Sequence, residues 1–541
     1  MQPSSFNVFS RRSFLDRSVK TSLAVALSTL TDIPLVMKQA LAEGSIGLNG
    51  KKVLFLWLRG ANDGLNSVVP ILDPAYVPNR PTLAIPTDPA TNYGQPGPAD
   101  SPEAGGASTY GFYPFGIRLG NSFAALHPSL KFLAPIYNAG DLAVIHRVAY
   151  PRQSRSHFDS QRYWENGSPN NNLSQDGIFY RTLLESGLAH TAPLTGVSIQ
   201  SSLPLILRGS EAAMTNLTDP LRYDLLGIPN TAAGNQKATA FLNQAIPAPF
   251  PPKQSRGLLQ LQYQNLTNTL SIFGQLDFTE NGNTFRDSEV TDADTEWADA
   301  NGGEGYYLFP TTNVKNGGWR RPDGTNVATK YVVNPNLQSL FERLKAAAII
   351  LNKTDAIIAG TEFGGFDTHQ QQGQLTGNHP DLNRGFGWAM YALRKYFSRY
   401  ADKATWDNVV VVTLTEFGRT TVENSDRGTD HAEAGAMFVA GGAIRAYDAA
   451  AGRSGVFNCS PTDPVPWVPG EAGSMFGVSG RYLRRASDYR QILGEIIRNH
   501  LGATQSQLNR IIPGYANSAE RLLNGGTSID GTVIRGELGL V

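Results

Sequence analysis

Histidines and carboxylates occur close together at several points of this sequence. Three of its eight histidines fall in clusters that also contain aspartate: His157, His369 and His431. Imidazole and carboxylate groups are ligands of divalent metals and can also act as general acids and bases. Unrelated turns would not repeatedly carry residues of this kind, so the clusters predict one shared site.

The stretch 362–369 reads EFGGFDTH and provides the most specific pair. In extended backbone, residues two apart point to the same side, so Asp367 and His369 could bind one metal together. The alternative is a turn aspartate beside a histidine that is only hydrogen-bonded.

A second stretch, 152–159, reads RQSRSHFD. Arginine suits the binding of an oxyanion, and a serine nucleophile could stand beside it. The candidate catalytic residues are therefore Ser154, Arg155, Ser156 and His157. The alternative is a helix N-terminus that is capped by Ser154 or Ser156, with Arg155 in a surface ion pair.

Three further carboxylates complete the candidate metal ligands. Glu416 ends an apolar run, and a buried carboxylate there needs a cation, either Arg419 or a metal. Asp430 precedes His431 in the stretch GTDH, and both are candidate ligands. Asp63 lies in RGANDGLN and is either a metal ligand or part of a turn.

Four continuous apolar runs precede these stretches, at 52–58, 141–146, 356–361 and 408–415. Each has the form of a central strand that is buried on both faces. Helical patterns lie between them, at 123–138, 157–166, 335–351 and 380–400. Alternating strands and helices predict an α/β fold with a mostly parallel, doubly wound sheet and helices on both faces. Ligands bind at the carboxyl edge of such a sheet, which is where the clusters should meet.

Composition limits the function. The sequence has 46 lysine and arginine residues and 46 aspartate and glutamate residues. The chain therefore has no net positive charge that would favour binding to nucleic acid. The single cysteine, Cys459, excludes an intrachain disulfide. The alternation is interrupted at about 86–116 and 220–329, which we interpret as irregular insertions.

The first 42 residues have the form of a twin-arginine export signal. Arg11 and Arg12 precede a mildly apolar stretch that ends in a small-x-small cleavage site at residues 40–42. Charged residues interrupt the stretch, so a stable membrane anchor is the less favoured alternative. We expect an α/β domain over residues 43–541, contact with the twin-arginine translocase during export, and a periplasmic or extracellular location.

With these residues considered, the chain resembles an exported family known as domain of unknown function 1501. The matching stretches are FLWLRGANDGLNSVVP, LHPSL, SRSHFDSQRYWENG, GGFDTH and TEFGRT with GTDH. That family is placed in the alkaline phosphatase and sulfatase superfamily. The resemblance implies an alkaline phosphatase-like fold with one or two divalent metals at the carboxyl edge of the sheet. Carried over by position, the pattern matches Asp63, a serine at 154 or 156, Asp367 with His369, Glu416 and His431.

The leading hypothesis is an exported metal-dependent hydrolase of phosphate or sulfate esters. The metal would be zinc, manganese, iron or magnesium, with Arg155 or Arg147 neutralising the anionic ester. The alternative is a non-catalytic binding or assembly protein that keeps the same fold.

Overall fold

The computed structural model describes residues 46–47, 49–87, 115–189, 194–212, 214–221, 240, 268–279, 285–287, 306–310, 335–468, 483–517 and 519–541. The predicted export signal, residues 1–42, lies outside the described residues. Most of the two predicted insertions, 86–116 and 220–329, also lies outside them.

Nine strands form the main sheet: β1 (Lys52–Leu58), β2 (Leu142–Ala149), β3 (Gly196–Ile199), β4 (Thr215–Leu217), β5 (Ile358–Phe363), β6 (Val409–Leu414), β7 (Gly435–Ala440), β8 (Val456–Phe457) and β9 (Ser487–Asp488). Their order is β8-β2-β7-β6-β1-β5-β3-β4, and β9 also pairs with β2. Strand β7 runs antiparallel to both of its neighbours, while the other pairs are parallel. The fold is α/β with a large mixed sheet.

The helices are α1 (Gly64–Ser67), α2 (Tyr76–Asn79), α3 (Ala134–Asn138), α4 (His157–Asn166), α5 (Ile178–Glu185), α6 (Pro335–Lys353), α7 (Asn378–Arg399), α8 (Tyr489–Glu495) and α9 (Gln505–Ile511). Shorter 3₁₀ segments occupy Pro128–Leu133, Leu205–Leu207 and Trp406–Asn408, and a π-helical turn spans Ile496–His500. No helix in the described part of the chain is long and apolar enough to cross a membrane.

The four predicted strands all lie in this sheet, but they are not all neighbours. β1 pairs with β5 and β6, whereas β7 separates β2 from β6. β7 was not predicted as a strand, because its run of small residues differs from the bulkier apolar runs. Of the four predicted strands, β2 is therefore the one that lies apart from the other three.

The helix predicted over 123–138 is also wrong in its first half. Ala125–Leu126 is a strand, Pro128–Leu133 is 3₁₀, and only Ala134–Asn138 is α-helical. Two prolines explain this result, because Pro128 and Pro135 each lack the N–H that a continuous helix needs and are tolerated only in a first turn.

Strand β1 shows how the sheet packs against a separate apolar cluster on each of its faces. Its side chains alternate between faces, so Leu54, Leu56 and Leu58 join one buried cluster and Val53 and Phe55 join another. The first cluster includes residues of α6 and α7, and the second includes residues of α5, α8 and α9. Each fully buried apolar side chain of this size stabilises the fold by about 1.5–3 kcal/mol.

Candidate metal centre

Three histidines and one aspartate converge at one edge of the sheet. His157 begins α4 after β2, and Asp367 and His369 follow β5. His431 precedes β7, and because β7 is antiparallel, its beginning lies at the edge where the parallel strands end. The mixed sheet thus brings all four residues together.

The Nε2 atom of His431 lies close to the Nε2 atoms of the other two imidazoles. The Nε2 atom of His431 is 3.1 Å from Nε2 of His157 and 2.9 Å from Nε2 of His369. Ligand atoms about 2.0–2.1 Å from a tetrahedral metal are separated by about 3.3–3.4 Å. A small outward movement of the rings would therefore create a metal site.

Asp367 supplies the oxygen of this cluster. Its Oδ1 lies 3.1 Å from His369 Nε2 and 3.2 Å from His431 Nε2, and its Oδ2 lies 3.6 Å from His157 Nε2. One ligand atom each from His157, Asp367 and His431 falls within 4.8 Å of the others. The side chain of Asp367 is 46% exposed, so solvent reaches the cluster.

The other ring nitrogen of each histidine faces an acceptor. His369 Nδ1 is 3.1 Å from Asp430 Oδ1, and His431 Nδ1 is 2.9 Å from the carbonyl oxygen of Arg155. His157 Nδ1 lies 3.6 Å from Glu416 Oε1. Such partners fix the ring orientation of metal-binding histidines and place the lone pair of Nε2 towards the metal.

The carboxylates around the cluster favour positive charge. Contacts with Asp367 and then Glu416 raise the pKa of His157 to about 9, although burial opposes this. Burial would raise the pKa of Asp367, but contacts from His157, His431 and Arg419 hold it well below its ordinary value. The carboxylates therefore stabilise positive charge at the cluster, and a metal that bound there would have to displace the proton of His157.

Glu416 lies behind this cluster. It is fully buried, and its carboxylate accepts hydrogen bonds from the backbone amides of Gly60 and Ala61 and from Gln161 Nε2. The contact with Nδ1 of His157 indicates that Glu416 orients that ring. Of the two cations considered for Glu416, Arg419 does not pair with it, because Arg419 bonds to Asp367 Oδ1 at 2.5 Å instead.

Asp63 is not brought into the cluster. It is buried, forms an ion pair with Arg80 at 2.6 Å, accepts from Gln372 Nε2 at 2.7 Å and caps α1. Burial raises the pKa of Asp63, but the Arg80 guanidinium and the other contacts outweigh this effect and lower it to about 2. Its prediction as a metal ligand is corrected, since its oxygens are occupied by these partners.

The two candidate nucleophiles are placed less favourably. Ser156 is the N-cap of α4, as the alternative interpretation predicted, and its oxygen faces the amide of Asp159. Ser154 Oγ accepts from the amide of Ser156. Among the described contacts, neither hydroxyl touches the cluster. Arg155 reaches it through its backbone carbonyl.

Sequence reasoning missed several supporting residues. Gln161 follows His157 by one helical turn, so both face Glu416, and this spacing was a usable signal. No sequence pattern pointed to Arg80, because it lies 17 residues from its partner Asp63 in an irregular segment. His127, His146 and His500 are buried, as expected for structural histidines.

Comparison with known proteins gives one match. Residues 212–453 match the family described as "Protein of unknown function (DUF1501)". The match supports the family resemblance that the motifs suggested, and it contains Asp367, His369 and His431 but not His157. No curated protein and no solved structure was found to match the chain.

Proposed function

We propose that this protein is an exported hydrolase of phosphate or sulfate esters that uses a single divalent metal. The observation that carries the proposal is the convergence of three Nε2 atoms and one carboxylate, with an acceptor facing each Nδ1 atom. Three imidazoles and one carboxylate suit zinc, manganese or iron better than magnesium. An alkaline phosphatase-like fold is part of the proposal.

The ligands would be His157, Asp367, His369 and His431. With four protein ligands, a divalent metal would need a fifth coordination position to polarise an ester oxygen or to lower the pKa of a bound water. The chain contributes the orientation of the rings, and it leaves the centre open to solvent on the Asp367 side. Water is the better nucleophile, because Ser156 is used as a helix cap and Ser154 makes no described contact with the cluster.

The positions of the serines also favour a second candidate, a binding or assembly protein with the same metal centre. Such a protein would keep the metal without turnover. The two candidate functions therefore share one metal centre and differ only in whether the protein hydrolyses an ester.

The test uses the mature protein from residue 43. We expect about one equivalent of bound metal and chelator-sensitive hydrolysis of generic phosphate or sulfate esters. The variants His369→Ala and His431→Ala should lose both, because each removes a ligand. The control Asp426→Ala changes an exposed carboxylate in the same loop region and should keep both.

Stoichiometric metal in both alanine variants would refute the metal centre. Metal without hydrolysis of any ester in wild-type protein would favour the binding or assembly function instead.

Export through the twin-arginine pathway is proposed from Arg11 and Arg12. Replacing both by Lys should leave a precursor that still carries residues 1–42 in the cytoplasm. Fractionation and mass measurement check this prediction, with the unchanged precursor as the control. A normal periplasmic level of the double variant would contradict the route.

A further inference from the structure

A cleft of about 660 Å³ is lined by residues near in the chain to two segments of the candidate metal centre. Its walls come from four segments of the chain, within residues 147–153, 465–468, 483–485 and 530–533, together with Glu433. The wall is partly apolar, with Val465, Pro466 and Leu483 among the lining residues. Such a mixture suits an organic molecule that also carries charge.

Two arginines give the cleft positive charge. Arg147 is buried, and its guanidinium donates to the carbonyl oxygens of Arg484, Val465 and Pro466. Burial lowers its pKa to about 10, so it remains charged at neutral pH. No carboxylate lies at ion-pair distance from Arg147 or Arg152 in the described part of the chain.

Two further arginines, Arg484 and Arg485, also line the cleft, and acidic neighbours balance the charge of Arg485. Arg485 is paired with Asp488 at 3.0 Å and with Asp530 at 2.9 Å. The remaining acidic residue of the wall is Glu433. An anion in the cleft would therefore meet a rigidly held cation, Arg147, and an exposed one, Arg152.

The cleft and the metal centre share two segments of the chain. Gln153 lines the cleft, and its side-chain amide donates to the carbonyl oxygen of Glu416. Glu433 lines the cleft two residues after His431. A single small molecule could therefore reach from one site towards the other.

We propose that this cleft is a subsite for a second anionic group of the substrate, a carboxylate, phosphate or sulfate carried on a partly apolar body. The inference rests on the proposed hydrolase function. It makes Arg152 a specificity-determining residue and Arg147 a fixed electrostatic anchor.

The first experiment measures binding of inorganic phosphate to chelator-treated mature protein by titration calorimetry. We expect saturable binding that Arg152→Gln weakens about tenfold or more, because one charge-assisted contact is lost. Arg453→Gln, which changes an exposed arginine paired with Asp448, is the matched control and should bind phosphate normally.

The second experiment compares hydrolysis of 4-carboxyphenyl phosphate and phenyl phosphate by the metal-loaded protein. Wild type should prefer the carboxylated ester in kcat/KM, and Arg152→Gln should lose that preference. Three results would overturn the subsite. They are no phosphate binding by wild type, equal phosphate affinity of wild type and Arg152→Gln, and hydrolysis of both esters by wild type with no preference for the carboxylated one. If phosphate binds but neither ester is hydrolysed, the result would contradict the proposed hydrolase function and leave the subsite standing.

Discussion

At the scale of single residues, the orientation of imidazole rings defines the candidate site. Each Nε2 atom points to the same small volume because its Nδ1 atom faces a fixed acceptor. Asp430 was predicted as a ligand, but its Oδ1 faces Nδ1 of His369 and accepts from Asn424. It is therefore better described as an orienting residue.

This assignment makes a prediction about Asp430→Ala. The variant should still bind metal, but about 10–100-fold more weakly, because His369 loses the partner that fixes its ring. Competition with a metal-binding dye measures the affinity, and Asp426→Ala should match wild type. Complete loss of metal from Asp430→Ala would indicate that Asp430 is itself a ligand.

At the scale of elements, the loops of the site are held by very close backbone packing. Gly60 has φ +107°, and a Cβ there would lie 2.4 Å from the amide nitrogen of Asp367. A Cβ at Gly428 would lie 2.2 Å from the carbonyl oxygen of His369. Arg419 completes the packing, since its guanidinium donates to the carbonyls of Ala61, Phe366 and Thr429 and to Asp367.

The packing predicts different results for two alanine substitutions near the site. Gly60→Ala should lower the free energy of unfolding by about 2–4 kcal/mol, because alanine would have to adopt the positive φ of this position. The variant should also weaken metal binding, because the added Cβ would displace Asp367. Gly364→Ala should be nearly neutral, since nothing lies within 4 Å of its added Cβ. Denaturant titration and metal affinity check both variants. Equal stability of the two would show that this close approach does not hold the loop.

At the scale of the whole molecule, one sheet separates two large apolar clusters. Cys459 belongs to the first of them and is 0% exposed. Burial raises the pKa of its thiol well above the ordinary value. As the only cysteine, it reports on the opening of this core.

We therefore predict that a thiol reagent labels Cys459 very slowly in native buffer. The rate should be roughly a thousand-fold or more below that in guanidinium, because the native protein must open first. A colorimetric thiol assay measures both rates, with the unfolded protein as the reference. Rapid labelling of the native protein would show that the core around Cys459 opens easily.

Local patterns in the sequence determined many of the elements, although they missed β7 and the 3₁₀ segment Pro128–Leu133. The run 52–58 became β1 without change of bounds, and residues 157–166 became α4, because apolar runs and helical spacing are local properties. The same local patterns selected His157, Asp367, His369 and His431 as chemically unusual residues.

Only the tertiary structure decided which of these residues meet. Asp63 and Glu416 have ligand chemistry, but a buried arginine engages Asp63, whereas backbone amides and Gln161 surround Glu416. Those partners come from distant positions whose approach depends on loop packing, which no local pattern encodes. Strand direction is a second such effect. Because β7 pairs antiparallel with β6 and β2, His431, which precedes β7, lies at the edge where the parallel strands end. The sequence therefore determined the kinds of candidate ligand, and long-range packing determined which of them lie together.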